Sequence, residues 1–204
     1  KTLAKPVPFN TTDFLRTASN LGYDAMVAME IAEKLYMEGY VSYPRTDNQK
    51  YVGVEIFKIL NRLNQGELKE AVEKIKALPK IQPSSGKETK DHPPIHPVTY
   101  LSPDKVSKRE YKIYRLIVDR FLATLAENAI TFVTKVEIDI NKEPFVAKGV
   151  IIDYKGWLEF YPYSKVKEET LPALNEGDVV VVKEKDLQGK ETKPPARYSQ
   201  GTLI

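Results

Sequence analysis

The chain contains no cysteine, which excludes disulfide staples, thiolate metal sites and cysteine nucleophiles. It has only two histidines and one tryptophan, so any imidazole chemistry must come from His92 or His96. Net charge is nearly absent as well. The formal value is +3, too weak a whole-molecule field to announce a polyanion partner, so a nucleic-acid site would have to be a local patch. No apolar run approaches the length of a membrane span or a signal-peptide core, and a soluble protein of the cytoplasm is expected. No internal repeat is visible. What is present is an ordinary globular balance, 42% hydrophobic and 29% charged residues, enough to build a core from 204 residues as one larger domain or two small ones. Lys1 and Ile204 do not resemble natural chain ends, and a piece of a longer protein is expected.

The first 126 residues carry helical spacing. Thr11, Thr12 and Asp13 offer capping oxygens ahead of Phe14, Leu15 and Ala18, and Gly22 is placed to end that helix. Asp24 caps a second helix whose Ala25, Ala28, Met29, Ala32, Leu35 and Tyr36 recur at helical period up to Gly39. Two shorter helices are expected around Val54 to Leu63 and Leu68 to Leu78. Between Pro79 and Pro103 the Pro, Ser and Lys content predicts an irregular surface connection. A long helix follows from about Ser107 to Ala126, with Tyr111, Tyr114, Ile117, Val118, Phe121, Leu122 and Leu125 as its apolar stripe. After Asn128 the period changes to two. Strands are expected over 130–140, 145–153, 157–161 and 179–185, separated by Asn141, Gly156 and Gly177. The tail Lys193-Pro194-Pro195 breaks that sheet, and Ser199 is placed to open a further helix. The fold class is therefore α+β, a helical unit followed by a small antiparallel sheet.

Chemistry concentrates at Tyr43-Pro44-Arg45. Pro44 disfavours a helical conformation at Tyr43, so the segment is extended and the side chains of Tyr43 and Arg45 face one side roughly 7 Å apart. A phenol is protonated at neutral pH and is a poor nucleophile, whereas a neighbouring guanidinium favours the phenolate and grips a phosphate with paired donors. Tyrosines in loops are usually packing residues, and by itself the pattern also fits that role. The two histidines lie four residues apart, but Pro93, Pro94 and Pro97 forbid the helix that would let them chelate a metal together. His96 then reads as an ordinary loop histidine, and no metal site is expected. The Lys and Glu runs at 67–76 and 183–193 read as solvated faces.

Four landmarks in order resemble one family. Pro8-Phe9-Asn10-Thr11-Thr12, the helix from Leu21 to Gly39, and Tyr40-Val41-Ser42-Tyr43-Pro44-Arg45-Thr46-Asp47-Asn48 resemble the active-site tyrosine segment of type IA DNA topoisomerases, in the form of the archaeal and topoisomerase III branch. Asp91-His92-Pro93-Pro94-Ile95-His96-Pro97 resembles the family's A-H-x-A-I-x-P motif, with Asp91 and Pro94 in place of alanines. Gly156-Trp157 resembles the turn and tryptophan of its gate sheet, and Pro194-Pro195-Ala196-Arg197-Tyr198-Ser199 resembles its P-P-x-R-[FY]-[ST] segment.

The resemblance implies Tyr43 as nucleophile, Arg45 as a phosphate-contacting arginine, His92 as a DNA-contacting histidine near the scissile site, and Arg197 as a backbone-contacting arginine. It also implies residues 1–126 as the tyrosine-bearing helical domain, 127–192 as part of a gate arch, and 193–204 as the start of another helical segment. Single-stranded or underwound DNA would be the partner of a monomeric enzyme. Magnesium would be held by the acidic D-x-D cluster of a Toprim domain of the same parent chain, a cluster this chain lacks. Two readings of other classes stay open: a non-catalytic single-strand-binding module using tyrosine stacking, and a structural adaptor.

Overall fold

A computed structural model describes residues 1–164 and 166–203. The helices are α1 (Thr11–Asn20), α2 (Ala25–Met37), α3 (Ile56–Leu63), α4 (Lys69–Lys76), α5 (Lys108–Leu125) and α6 (Gln200–Leu203). One antiparallel sheet has the order β1 (Thr2–Leu3), β2 (Ala129–Ile140), β3 (Glu143–Tyr154). The class is α+β.

Local chemistry accounts for the helix ends. The cap of α1 is Asn10, whose side-chain oxygen accepts from the Asp13 N–H at 2.8 Å, one residue ahead of the expected threonines. Thr11 is already helical, and its hydroxyl is needed elsewhere. Gly22 follows α1 at φ +87, a left-handed position that other residues adopt at a cost. Asp24 caps α2 through the Met26 N–H at 2.8 Å. Its C-terminus closes with Gly39 at φ +81, where the Gly39 and Tyr40 N–H groups return to Tyr36 and Leu35 carbonyls. Ser107 and Glu110 form a reciprocal capping box at the start of α5.

Helix α5 is the hub. The expected stripe is buried apart from Tyr111, but Ile113, Leu116 and Ala123 are buried too, so the helix is covered on most of its circumference. Asp119, which a stripe would leave wet, is buried at 3% exposure and held by Arg115 at 2.7 Å and the Tyr163 hydroxyl at 3.0 Å. Burial outweighs the arginine and pushes the Asp119 carboxyl up to about 6. Arg120 lies over the Phe9 ring at 4.4 Å and donates to the Val7 carbonyl, tying the N-terminal segment to α5.

The connection expected on the surface runs partly inside. Pro94, Ile95, His96 and Pro97 are buried, because this irregular stretch bonds to two others. Ile95 N–H donates to the Phe9 carbonyl at 2.8 Å, and on the other side Ser42 N–H donates to the His96 carbonyl at 2.9 Å and Val98 N–H to Tyr40. Prolines supply no N–H, so the pairing is limited to isolated bridges, Phe9 with Ile95 and Val41 with Pro97.

In the second half, β2 and β3 form a long hairpin closed by Asn141 and Lys142, both at positive φ, the geometry of a two-residue turn that matches strand twist. The register runs from Ile130 opposite Tyr154 to Ile140 opposite Glu143, with an irregularity between Ile130 and Thr131. β1 was not visible in the pattern; two residues are too few to show a period. The expected strand over 157–161 is instead a turn of 3-10 helix, Gly156–Glu159. Gly156 has φ +49, and a side chain there would meet the Asn128 carbonyl at 2.5 Å, so the backbone doubles back rather than extending. Trp157 is thereby turned inward, its indole N–H donating to the Leu3 carbonyl at 3.1 Å. Residues 179–185 are exposed and form no strand or ladder among the described residues. Ala129, Trp157 and Tyr161 belong to the same buried cluster as the helices, so the root of the hairpin is anchored in the helical core.

Candidate active site around Tyr43

Tyr43 is presented on a short extended segment that leaves the Gly39 turn and runs antiparallel to residues 96–98. The segment is irregular yet heavily bonded. Buried Ser42 donates its hydroxyl to the Pro94 carbonyl at 3.2 Å and accepts from the His96 N–H at 2.9 Å. Buried Thr46 donates to the His92 carbonyl at 3.1 Å and accepts from the Asn48 N–H at 3.0 Å. Thr11, at the start of α1, donates its hydroxyl to the Pro44 carbonyl at 2.7 Å and accepts from the Thr46 N–H at 2.8 Å. Asn48, also buried, donates to the Thr89 carbonyl at 3.0 Å. Each of these is a short polar side chain satisfying backbone that no helix or ladder satisfies. Tyr43 and its two neighbours are thus fixed from α1 on one side and from residues 89–96 on the other.

Within that frame Tyr43 is half-buried, its ring held edge-on between two others. The His92 ring is 4.8 Å away at 62°, and the Tyr36 ring of α2 is 5.2 Å away at 65°. Such edge-to-face pairs contribute about 0.5–1.5 kcal/mol each, enough to favour one ring orientation without locking it. Arg45 is exposed; its Nε donates to Glu33 Oε1 of α2 at 2.7 Å, and its Nη2 lies 2.6 Å from the same oxygen in an ion pair. Glu33 and Tyr36 lie one helical turn apart, so Tyr43 and Arg45 meet the same face of α2.

The imidazoles differ sharply. His92 is exposed and beside Tyr43. His96, read from sequence as an ordinary loop histidine, is buried at 6% exposure with Nδ1 2.6 Å from the Pro94 carbonyl. Its ionisation is displaced downward, by burial first, with the Pro94 carbonyl opposing. It is a neutral strut of the segment, with Nδ1–H as the donor. Arg197 lies exposed in the C-terminal tail and makes no hydrogen bond or ion pair among the described residues. The structure therefore brings Tyr43, Arg45 and His92 together and leaves Arg197 unconnected to them.

The electrostatics around Tyr43 are balanced rather than strongly basic. Arg45 is paired with Glu33, Lys87 lies 3.4 Å from Asp47, and Lys50 lies 2.6 Å from Glu88. Asp91 accepts from the Thr89 hydroxyl and from the backbone N–H groups of His92 and Asp47, which hold its carboxyl below the usual range. Among the described residues no three His, Asp or Glu side chains converge as ligands. The described residues therefore do not assemble a magnesium site.

Sequence reasoning missed Ser42, Thr46, Asn48, Thr11 and Glu33. The first four could have been suspected from short polar residues crowded around a proline, a composition that favours side chain to backbone bonding. Glu33 left no such signal, because pairing across twelve residues depends on how α2 meets the loop.

The whole chain, residues 1–204, matches the family model described as DNA topoisomerase. It is 48% identical to DNA topoisomerase 1 of Archaeoglobus fulgidus over 98% of this chain and 30% of that protein. It is 40% identical to DNA topoisomerase 1 of Thermoplasma acidophilum over 99% of this chain and 26% of that protein. With DNA topoisomerase 3-beta-1 of Mus musculus the identity is 31%, over 100% of this chain and 24% of that protein. The chain spans less than a third of the length of these curated relatives. With its full length matched by the family model and with relatives named DNA topoisomerase 1 and DNA topoisomerase 3-beta-1, the chain belongs to the type IA DNA topoisomerases.

Proposed function

We propose that this chain supplies the strand-cutting tyrosine of a type IA topoisomerase that relaxes negatively supercoiled DNA. The observation that carries this reading is the placement of Tyr43 against His92, with Arg45 beside it, on a loop held from both sides. Tyr43 loses its phenolic proton and attacks a backbone phosphorus. A phosphotyrosyl ester forms to the 5′ side while the 3′ oxygen departs and takes up a proton. One ester replaces another, so the cut is reversible and needs no nucleotide. A second strand passes before the 3′ hydroxyl attacks the phosphotyrosine and restores the backbone.

The roles follow from position. Arg45 lies at the exposed edge, where a guanidinium offers paired donors to phosphate oxygens. His92 packs on Tyr43 and offers a ring N–H to the same strand. Arg197 is proposed as a contact to the DNA backbone farther along. In this reading residues 1–126 are the tyrosine-bearing unit and 127–192 part of the arch that moves it, in a cytoplasmic, monomeric enzyme. The Toprim domain of the parent chain brings magnesium, which supplies electrostatic stabilisation at the phosphate. The chain alone is expected to be inert in cleavage and to bind single-stranded DNA weakly, with strong salt dependence.

The test uses the full-length enzyme and a single-stranded oligonucleotide labelled at its 3′ end. Wild type is expected to give a labelled protein band under denaturing conditions. Tyr43→Phe should abolish the band while keeping non-covalent binding. Binding with no adduct from wild type would favour the single-strand-binding module instead.

A further inference from the structure

The ion pair between Arg45 and Glu33 has a geometry suited to more than surface decoration. Both Nε and Nη2 of Arg45 close on one carboxylate oxygen, at 2.7 and 2.6 Å. That arrangement occupies one edge of the planar guanidinium. The opposite edge, formed by Nη1 and the second N–H of Nη2, keeps the paired donors that match two oxygens of a phosphate.

We infer that Glu33 is a positioning residue for the cleavage reaction, clamping Arg45 so that its free edge faces the phosphate attacked by Tyr43. The inference rests on the assignment of Tyr43 as nucleophile and deepens it. An unrestrained arginine on an exposed loop samples many rotamers, and only a few place its fork beside the phenol. Glu33 removes that freedom from a rigid base. It is on α2, whose Ala32 and Leu35 are fully buried on the core side. Tyr36, one turn further on, touches the Tyr43 ring. One helix face therefore sets the position of the guanidinium and of the phenol together, and the distance between them depends on α2 and not on the loop alone.

The carboxylate also repels a phosphate that approaches non-specifically. Its removal is expected to leave DNA affinity unchanged or slightly higher while slowing the chemical step, a split that loss of folding cannot produce. A competitor for the phosphate site would behave differently: its removal would speed cleavage.

The experiment compares single-turnover cleavage of a 3′-labelled oligonucleotide at saturating enzyme, and separately non-covalent binding, for full-length wild type and five variants. Glu33→Ala is expected to cleave about 10- to 100-fold more slowly, the upper end being the loss that a misplaced catalytic group produces. Its affinity should be no weaker and its thermal melting unchanged. Glu33→Gln keeps an acceptor oxygen for Nε and should recover most of the rate. In an Arg45→Ala background, Glu33→Ala should change nothing further. Cleavage by Glu33→Ala at or above the wild-type rate overturns the inference, as does a Gln variant as slow as Ala or an additive loss in the double variant. A Tyr43→Phe control in the same gel that still forms adduct tells instead against the nucleophile assignment, and the two failures are thereby read apart.

Discussion

The loop that carries Tyr43 and the β2–β3 hairpin are both extended backbone, yet they are stabilised in opposite ways. The hairpin has regular ladder bonding and little burial: Phe132, Val133, Phe145 and Val146 are all more than half exposed. The tyrosine loop has almost no ladder, but Val41, Ser42, Pro44, Thr46 and Asn48 are buried around it. Ladder bonds fix a strand relative to its partner alone, whereas side chain bonds to several elements fix a loop relative to the whole core. A side chain that must meet a target in one fixed position needs the second kind of placement.

The largest expected contrast is in stability. Phe121→Ala, fully buried on α5, should cost about 3–5 kcal/mol in denaturant unfolding through lost burial and the cavity left behind. Phe145→Ala on the hairpin should change stability by about 0.5 kcal/mol or less. Comparable losses at the two positions would mean that the hairpin is packed in solution and would break the comparison.

A smaller but more informative change is Thr46→Val. It is nearly isosteric and leaves the Asn48 N–H and the His92 carbonyl without their partner, at a cost of about 1–3 kcal/mol. Because the same hydroxyl ties residue 92 to residue 46, cleavage by the full-length enzyme should fall by more than DNA binding does. Equal loss of both would mean that the loop unfolds as a unit.

Acidification sharpens the contrast further. His96 has its folded ionisation depressed, so the stability it contributes is complete above its unfolded value near 6.5 and is lost as pH falls through the lower folded value. Amide exchange at Ser42 and His96, paired across that segment, should accelerate on acidification relative to that at Val133 and Val150 in the hairpin. Uniform acceleration across all four amides would contradict a local role for His96. Limited proteolysis gives the mildest test: first cuts are expected at the Asn141-Lys142 turn or in the exposed 174–198 stretch, and not within α2 or α5.

These contrasts also show where sequence reading stops. Spacing and caps were sufficient for α2 and α5, because 3.6-residue periodicity and Asp24, Gly39 and Ser107 are local facts. Pro44 was sufficient to place Tyr43 on extended chain. Alternation also located β2 and β3, but period two reports that faces differ and not that either is covered, so the exposure of Phe132 and Phe145 was hidden. Residues 157–161 read as a strand because Trp157, Leu158, Phe160 and Tyr161 are apolar or aromatic; what decides the 3-10 turn instead is the proximity of the Asn128 carbonyl to Gly156. Burial of His96 and the pairing of Glu33 with Arg45 depend on contacts between segments far apart in sequence, to which no window of neighbours is sensitive. The resemblance supplied the candidate residues, and the structure adds the side chains that hold three of them in place.

Tyr36 and Tyr40 lie close to Tyr43 in the chain, and Tyr36 touches its ring, so the central claim is best tested by locating the covalent bond itself. The full-length enzyme is trapped on a single-stranded oligonucleotide, digested with nuclease and protease, and the nucleotide-bearing peptide is sequenced by mass spectrometry. The account predicts a single modified residue, Tyr43, joined to a 5′ phosphate. Modification at Tyr36, Tyr40 or any residue outside this loop would contradict it.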